Sequence, residues 1–411
     1  MGNEPKNIVI CLDGTGNQIE ENLSNVLKLY RTLKKSEEQV VFYDQGVGTL
    51  GQKHTWGRAY QSIKNLLGLG FGLGLDKNVI QAYEFIVKHY QEYKPEDKKS
   101  PMQRDKIFIF GFSRGAHTAR VLAGMIYEIG ILKPDETHLI GAALTAYKQT
   151  IDPLDQVKSK IDEKSYEGEG ANFRRVAGTI RGSVNFLGVW DTVSSVYTPN
   201  SKNIFPLITR ENLPHTLNNP SVLNFRHAMA IDEFRRMFRL DSWMADQEFK
   251  PNPYTSGDKI EQNAVQMWFA GCHSDIGGGY KRSDSGLSQY PLIWMIGEAK
   301  EAGLVVFDRM SEYVTGVKPW TKNTKYLYPE PDVKAPVHTS LSIIWSLLEI
   351  FPKSSKRREW PKRKSIFGLF YFPLGEHRFI PKDANIHDSV YEKIESCADY
   401  KPVNVPPKTK D

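Results

Sequence analysis

Cysteine is scarce. Only Cys11, Cys272 and Cys397 occur in 411 residues, an odd number without ligand-like spacing, which excludes a disulfide framework and a cysteine-held zinc site. Two of the three sit in apolar, strand-like runs and read as packing. Long hydrophobic runs are missing too: no stretch reaches the roughly 18 to 20 apolar residues of a bilayer-crossing helix. The opening Met1-Gly2-Asn3-Glu4-Pro5-Lys6-Asn7 runs straight into a short strand, without the apolar segment of a secretory leader. A reducing cytoplasm is the expected setting, with peripheral membrane contact and export left open. Charge of one sign is not in large excess either. A formal net charge of +6 is modest for this length and does not point to nucleic acid. No internal repeat is found.

What is present suits a large globular core, with 40% hydrophobic and 11% aromatic residues. Short β-rich runs alternate with turns and helical patterns, as in a mostly parallel sheet covered on both faces. The predicted strands are Ile8–Leu12, Val40–Tyr43, Ile107–Phe110, Val184–Trp190 and Ala264–Ala270. Asp76–Tyr93 and Ala116–Ile129 carry apolar residues at helical spacing. The expected fold is α/β, an α/β-hydrolase-type sheet with helices on both faces and inserted cap segments. The catalytic core would span residues 1–300, with insertions near 133–175, read as a loop or insertion, and 194–261. The latter includes the helix-like Asn224–Arg236. Residues 301–411, where the rhythm weakens and prolines multiply, read as a C-terminal appendage packed on that core.

Gly111-Phe112-Ser113-Arg114-Gly115 lies between a predicted strand and a predicted helix. This is the setting of a nucleophile elbow, in which a strained turn lifts a serine hydroxyl above the sheet. Glycines at both ends let strand and helix approach closely; an ordinary turn that happens to fit the pattern is the alternative. A serine hydroxyl needs a base, and the base needs an orienting acid. Asp191, ending an apolar strand, is the best acid, its alternative being a helix N-cap. His273, also at a strand end, is the best base, with His227 and His387 as competitors. His227 falls in the helix-like segment and reads as structural. All three chosen residues would gather outside the carboxyl ends of parallel strands.

The developing oxyanion needs two N–H donors. Arg114 would supply one, and Gly14 or Thr15 in the turn Asp13-Gly14-Thr15-Gly16-Asn17 the other. A dinucleotide loop is excluded there, because Ile19 stands where the third glycine belongs. The run from Leu66 to Gly74 lacks the lysine and hydroxyl of a P-loop and reads as a flexible apolar loop near the cleft. No cofactor and no metal are expected. Lys353, Lys356, Arg357, Arg358, Lys362, Arg363 and Lys364 form a basic run bordered by apolar segments. It suits either the surface of an anionic membrane or a solvated loop.

These residues, with Val189-Trp190-Asp191-Thr192-Val193, Arg226-His227-Ala228, Asp232-Glu233, Gly271-Cys272-His273-Ser274-Asp275-Ile276-Gly277-Gly278-Gly279-Tyr280, Arg378-Phe379-Ile380-Pro381 and Ile386-His387-Asp388-Ser389-Val390, resemble the DUF2235 family of α/β-hydrolases. That family includes the catalytic domain of Tle1-type phospholipase effectors of type VI secretion. The resemblance implies a Ser113-Asp191-His273 triad and cleavage of acyl esters of phospholipids or related lipids. Two other expectations stand beside it: an esterase or peptidase with a soluble substrate, and a non-catalytic lipid-binding module on the same fold.

Overall fold

The computed structural model describes residues 4–14, 23–46, 71–93, 103–151, 168–193, 197–199, 208–210, 213–235, 238–252, 260–320, 328–340, 349–350, 352–354, 360 and 364–408. Its strands used below are β1 (Asn7–Leu12), β2 (Gln39–Asp44), β3 (Lys106–Phe112), β4 (Val184–Trp190), β5 (Val222–Ala230), β6 (Asn263–Phe269), β7 (Lys353–Ser354), β8 (Phe370–Tyr371) and β9 (Asn385–Ile386). The helices are α1 (Asn25–Thr32), α2 (Phe71–His89), α3 (Arg114–Ile129), α4 (Ile140–Gln149), α5 (Glu169–Ala177), α6 (His273–Gly277), α7 (Gly286–Glu301) and α8 (Asp388–Ser396). Seven strands form one sheet in the order β9-β6-β5-β4-β3-β1-β2, and every pairing in it is parallel.

Parallel strands buried on both faces need apolar side chains at successive positions, and β1 shows the result. Ile8, Ile10 and Leu12 pack with α2, α3 and α4 on one face, while Val9 and Cys11 pack with α1 and α7 on the other. β3 divides in the same way, Ile107 and Ile109 from Phe108, Phe110 and Phe112. The mostly parallel sheet with two helical layers is the α/β-hydrolase-like architecture expected from the sequence.

Two sequence readings are corrected. Asn224–Arg236 is not helical, since residues 222–230 are β5 in the middle of the sheet. Its Arg226 and His227 are buried with partners no local pattern reveals: Arg226 bonds Glu298 at 2.6 Å and the Asn263 carbonyl at 2.8 Å. The stretch 133–175 is not simply loop. It holds a 3-10 turn, α4 and the start of α5, and Ile140, Ala143, Leu144 and Tyr147 of α4 join the core.

The chain beyond residue 300 supplies β9, which pairs with β6 through Met267 and Trp268. Ile380 and Val390 pack against Met229, Ile231, Trp268 and Ala270. Among the described residues no helix is long and apolar enough to cross a membrane.

Candidate active site

The sheet order reverses at β1, which has β2 on one side and β3 on the other. At such a switch point the loops leaving the carboxyl ends of neighbouring strands diverge and leave a crevice. The loop after β1 and the turn after β3 meet here. A β-carbon built on Gly14 would stand 3.5 Å from the Ser113 β-carbon.

β3 ends at Phe112 and α3 starts at Arg114, so Ser113 alone turns the chain. It does so at φ 57° and ψ −119°, a conformation that strains any residue with a β-carbon. Its N–H donates to the Trp190 carbonyl at 3.1 Å. The flanking glycines are sterically required. A β-carbon at Gly115 would lie 2.2 Å from the Leu12 carbonyl oxygen, and one at Gly111 2.5 Å from that of Gly115.

Asp191 follows β4, fully buried and at φ 38°. Oδ1 accepts the Ala230 N–H at 3.0 Å and Arg378 Nη1 at 2.5 Å. Oδ2 accepts Arg378 Nη2 at 3.0 Å and lies 2.5 Å from His273 Nδ1. These bonds go to a strand, a guanidinium and an imidazole, so the carboxylate is not acting as a helix cap. Burial opposes its charge, but the Arg378 guanidinium and the His273 hydrogen bond outweigh burial and hold the carboxyl well below the usual range.

His273 follows β6 and opens α6, with Nε2 2.8 Å from Ser113 Oγ. Its ring lies between Phe112, at 4.8 Å, and Phe238, at 5.0 Å and edge-on. Its backbone N–H donates to Glu233 Oε2 at 3.3 Å. Buried Glu233 is itself gripped by Arg235 with two bonds of 2.8 Å. Burial raises that carboxyl, and the Arg235 hydrogen bonds and charge more than reverse the effect.

The competing histidines lie elsewhere. His227 is buried in β5, where Nε2 accepts the Thr192 N–H at 3.1 Å and Nδ1 lies 3.3 Å from Arg120. Burial, then the Arg120 charge, pushes its pKa down, so a neutral ring braces the turn after Asp191. It is structural, as expected, but in a strand. His387 caps α8 by accepting the Ser389 N–H.

Of the expected oxyanion donors, Arg114 occupies the first position of α3. Burial lowers its guanidinium to about 10. The Gly14 N–H is engaged, donating to Asp13 Oδ1 at 2.7 Å. Asp13 Oδ2 in turn accepts the hydroxyls of Ser24 and Tyr43. Thr15 lies outside the described residues. So do residues 66–70 of the glycine-rich run, whereas residues 71–74 begin α2 and are not a loop. Lys356, Arg357, Arg358, Lys362 and Arg363 also lie outside them; Lys353 starts β7 and Lys364 is exposed.

Arg378 and Glu233 are the residues that site reasoning from sequence missed. Both fall in motifs that carry the family resemblance. Neither motif reveals its partner: Arg378 is 187 residues from Asp191.

The model of the type VI secretion phospholipase effector Tle1-like catalytic domain matches residues 6–298. An uncharacterized protein of Saccharomyces cerevisiae, YEL023C, is 30% identical over 258 residues, which is 61% of this chain and 33% of that protein. A crystal structure of an uncharacterized Pseudomonas aeruginosa protein is similar with a TM-score of 0.36 and 18% identity, over 74% of this chain and 46% of that one. The structure of the Tle1 effector bound to the VgrG spike of the type 6 secretion system gives a TM-score of 0.36 and 20% identity, over 69% and 52%. The chain therefore spans about a third of the curated relative and about half of each structural one.

Proposed function

This chain belongs to the Tle1-like catalytic domain family of type VI secretion phospholipase effectors, and from that premise we propose that it hydrolyses acyl esters of phospholipids with Ser113 as nucleophile, His273 as base and Asp191 as orienting acid. The observation that carries this reading is the unbroken hydrogen-bonded series Ser113 Oγ, His273 Nε2, His273 Nδ1, Asp191 Oδ2 at the carboxyl ends of β3, β6 and β4.

Asp191 accepts a hydrogen bond from Nδ1–H, which leaves Nε2 as the acceptor facing the serine. Ser113 Oγ bonds to the acyl carbonyl carbon as its proton passes to Nε2. The tetrahedral oxyanion is held by the N–H of Arg114 and by a second N–H from the loop after β1, where that of Gly14 is engaged with Asp13. Its collapse breaks the ester C–O bond, and the leaving alkoxide takes the proton from His273. A water then attacks the acyl-serine, giving its proton to His273. The second collapse frees the fatty acid and restores the serine with that proton. Because the substrate resides in bilayers, the basic run from Lys353 to Lys364 is assigned to meeting anionic headgroups.

The test is product analysis by mass spectrometry on a total lipid extract, beside labelling with a fluorophosphonate. Wild-type protein should release fatty acid and be labelled at Ser113, and Ser113→Ala should lose about 10⁴-fold or more of the rate. Absence of labelling in folded protein overturns the nucleophile assignment. Turnover of short soluble esters but never of vesicles overturns the lipid assignment and leaves the hydrolase.

A further inference from the structure

β7 and β8 pair antiparallel through Lys353 with Tyr371 and Ser354 with Phe370, and two turns flank β8. In each turn an apolar residue at positive φ precedes a glycine at positive φ: Phe367 (50°) before Gly368 (71°), and Leu374 (54°) before Gly375 (71°). The Leu369 N–H closes the first turn on the Ile366 carbonyl at 3.0 Å, a type I′ arrangement that normally takes Asn, Asp or Gly because a bulky side chain is strained there. Phe367 is 93% and Leu374 64% exposed, and between them Leu369 is 61% exposed. Exposure and backbone strain therefore coincide at Phe367 and Leu374.

The local charge identifies what covers them. Residues 353–372 carry seven basic side chains and one acidic one, a net +6, equal to the formal net charge of the whole chain. An apolar tip beside such a basic run matches a layered partner, hydrocarbon beneath and negative charge above. We propose that β7, β8 and the two turns form a wedge that enters the headgroup layer of an anionic phospholipid bilayer. Trp360, in the chain between β7 and β8, touches the segment that holds Arg378. Trp360 Nε1 donates to the His377 carbonyl at 2.7 Å and its ring meets Phe379 edge-on at 5.3 Å, on either side of the Arg378 that grips Asp191. The inference rests on the lipid-esterase reading for its purpose, but its test does not require turnover.

The full chain carrying Ser113→Ala is floated with vesicles of phosphatidylcholine, with and without phosphatidylglycerol. It should bind the anionic vesicles, less so as salt rises. Adding Phe367→Asn and Leu374→Asn should weaken binding roughly tenfold or more, without loss of thermal stability because Asn tolerates positive φ. The same pair in the active enzyme should leave turnover of a short soluble ester unchanged. Ile260→Ser, at an exposed residue of a separate hairpin, should leave vesicle binding unchanged. Equal binding to neutral and anionic vesicles, or undiminished binding by the Asn pair, overturns the wedge. So does a result in which the pair alters only self-association in sedimentation velocity. Vesicle binding without any ester hydrolysis by the active chain overturns the esterase reading alone.

Discussion

Asp191 shows how one side chain depends on a distant one. Its carboxyl is depressed, so its contribution to stability is present above the ordinary carboxylate range and is lost only as pH falls through the depressed folded value, in strong acid. Arg378→Met removes the principal opposing charge and leaves burial, which pushes the carboxyl up. The acid limb of the kcat/KM profile should then move to higher pH, while Arg378→Lys should restore part of the shift. Urea unfolding at neutral pH should show a loss of about 3–5 kcal/mol for the Met variant, the cost of stranding one partner of a buried pair. An unmoved acid limb would reduce Arg378 to a packing residue. The chosen serine, acid and histidine were legible in the sequence because each ends an apolar strand. Arg378 was not, because a guanidinium in a polar, proline-containing stretch reads as a surface residue until the fold brings Asp191 to it.

At the scale of elements, the crossing of β1, β3 and α3 carries the site. The glycine spacing 111 and 115 announces that crossing, and the clearance at Gly115 shows why. Gly115→Ala should lower stability by about 1–3 kcal/mol or more, read from thermal unfolding. It should also slow fluorophosphonate labelling, because the backbone of β1 must withdraw from the turn that holds Ser113. If labelling persists at the wild-type rate, the close crossing does not set the serine. Strands with continuous apolar runs were read correctly from the sequence. β5 was not, since Asn224, Arg226 and His227 interrupt its pattern, and their compensating partners come from β4, β6, α3, α7 and the loop after β4.

For the whole molecule, the family match ends at residue 298, whereas β9 and Arg378 come from beyond it. A chain ended at residue 300 should therefore leave Met229 and Trp268 uncovered and bind a hydrophobic dye. Its labelling by fluorophosphonate should be no faster than that of Ser113→Ala, and wild-type labelling of this fragment would show the later segment to be dispensable. The alternation of strands and helices made the sheet legible, but its edge strand β9 is two residues long, too short for any period to register. Separation along the chain also has a meaning in time. Chain growth at about 5–20 residues per second puts roughly 10 to 40 s between the emergence of Asp191 and that of Arg378, 187 residues later. Ser113 is made before that interval and His273 within it, so a nascent chain carries the serine and the histidine before the arginine that completes the surroundings of Asp191, and the pace of synthesis itself delays assembly of the candidate site.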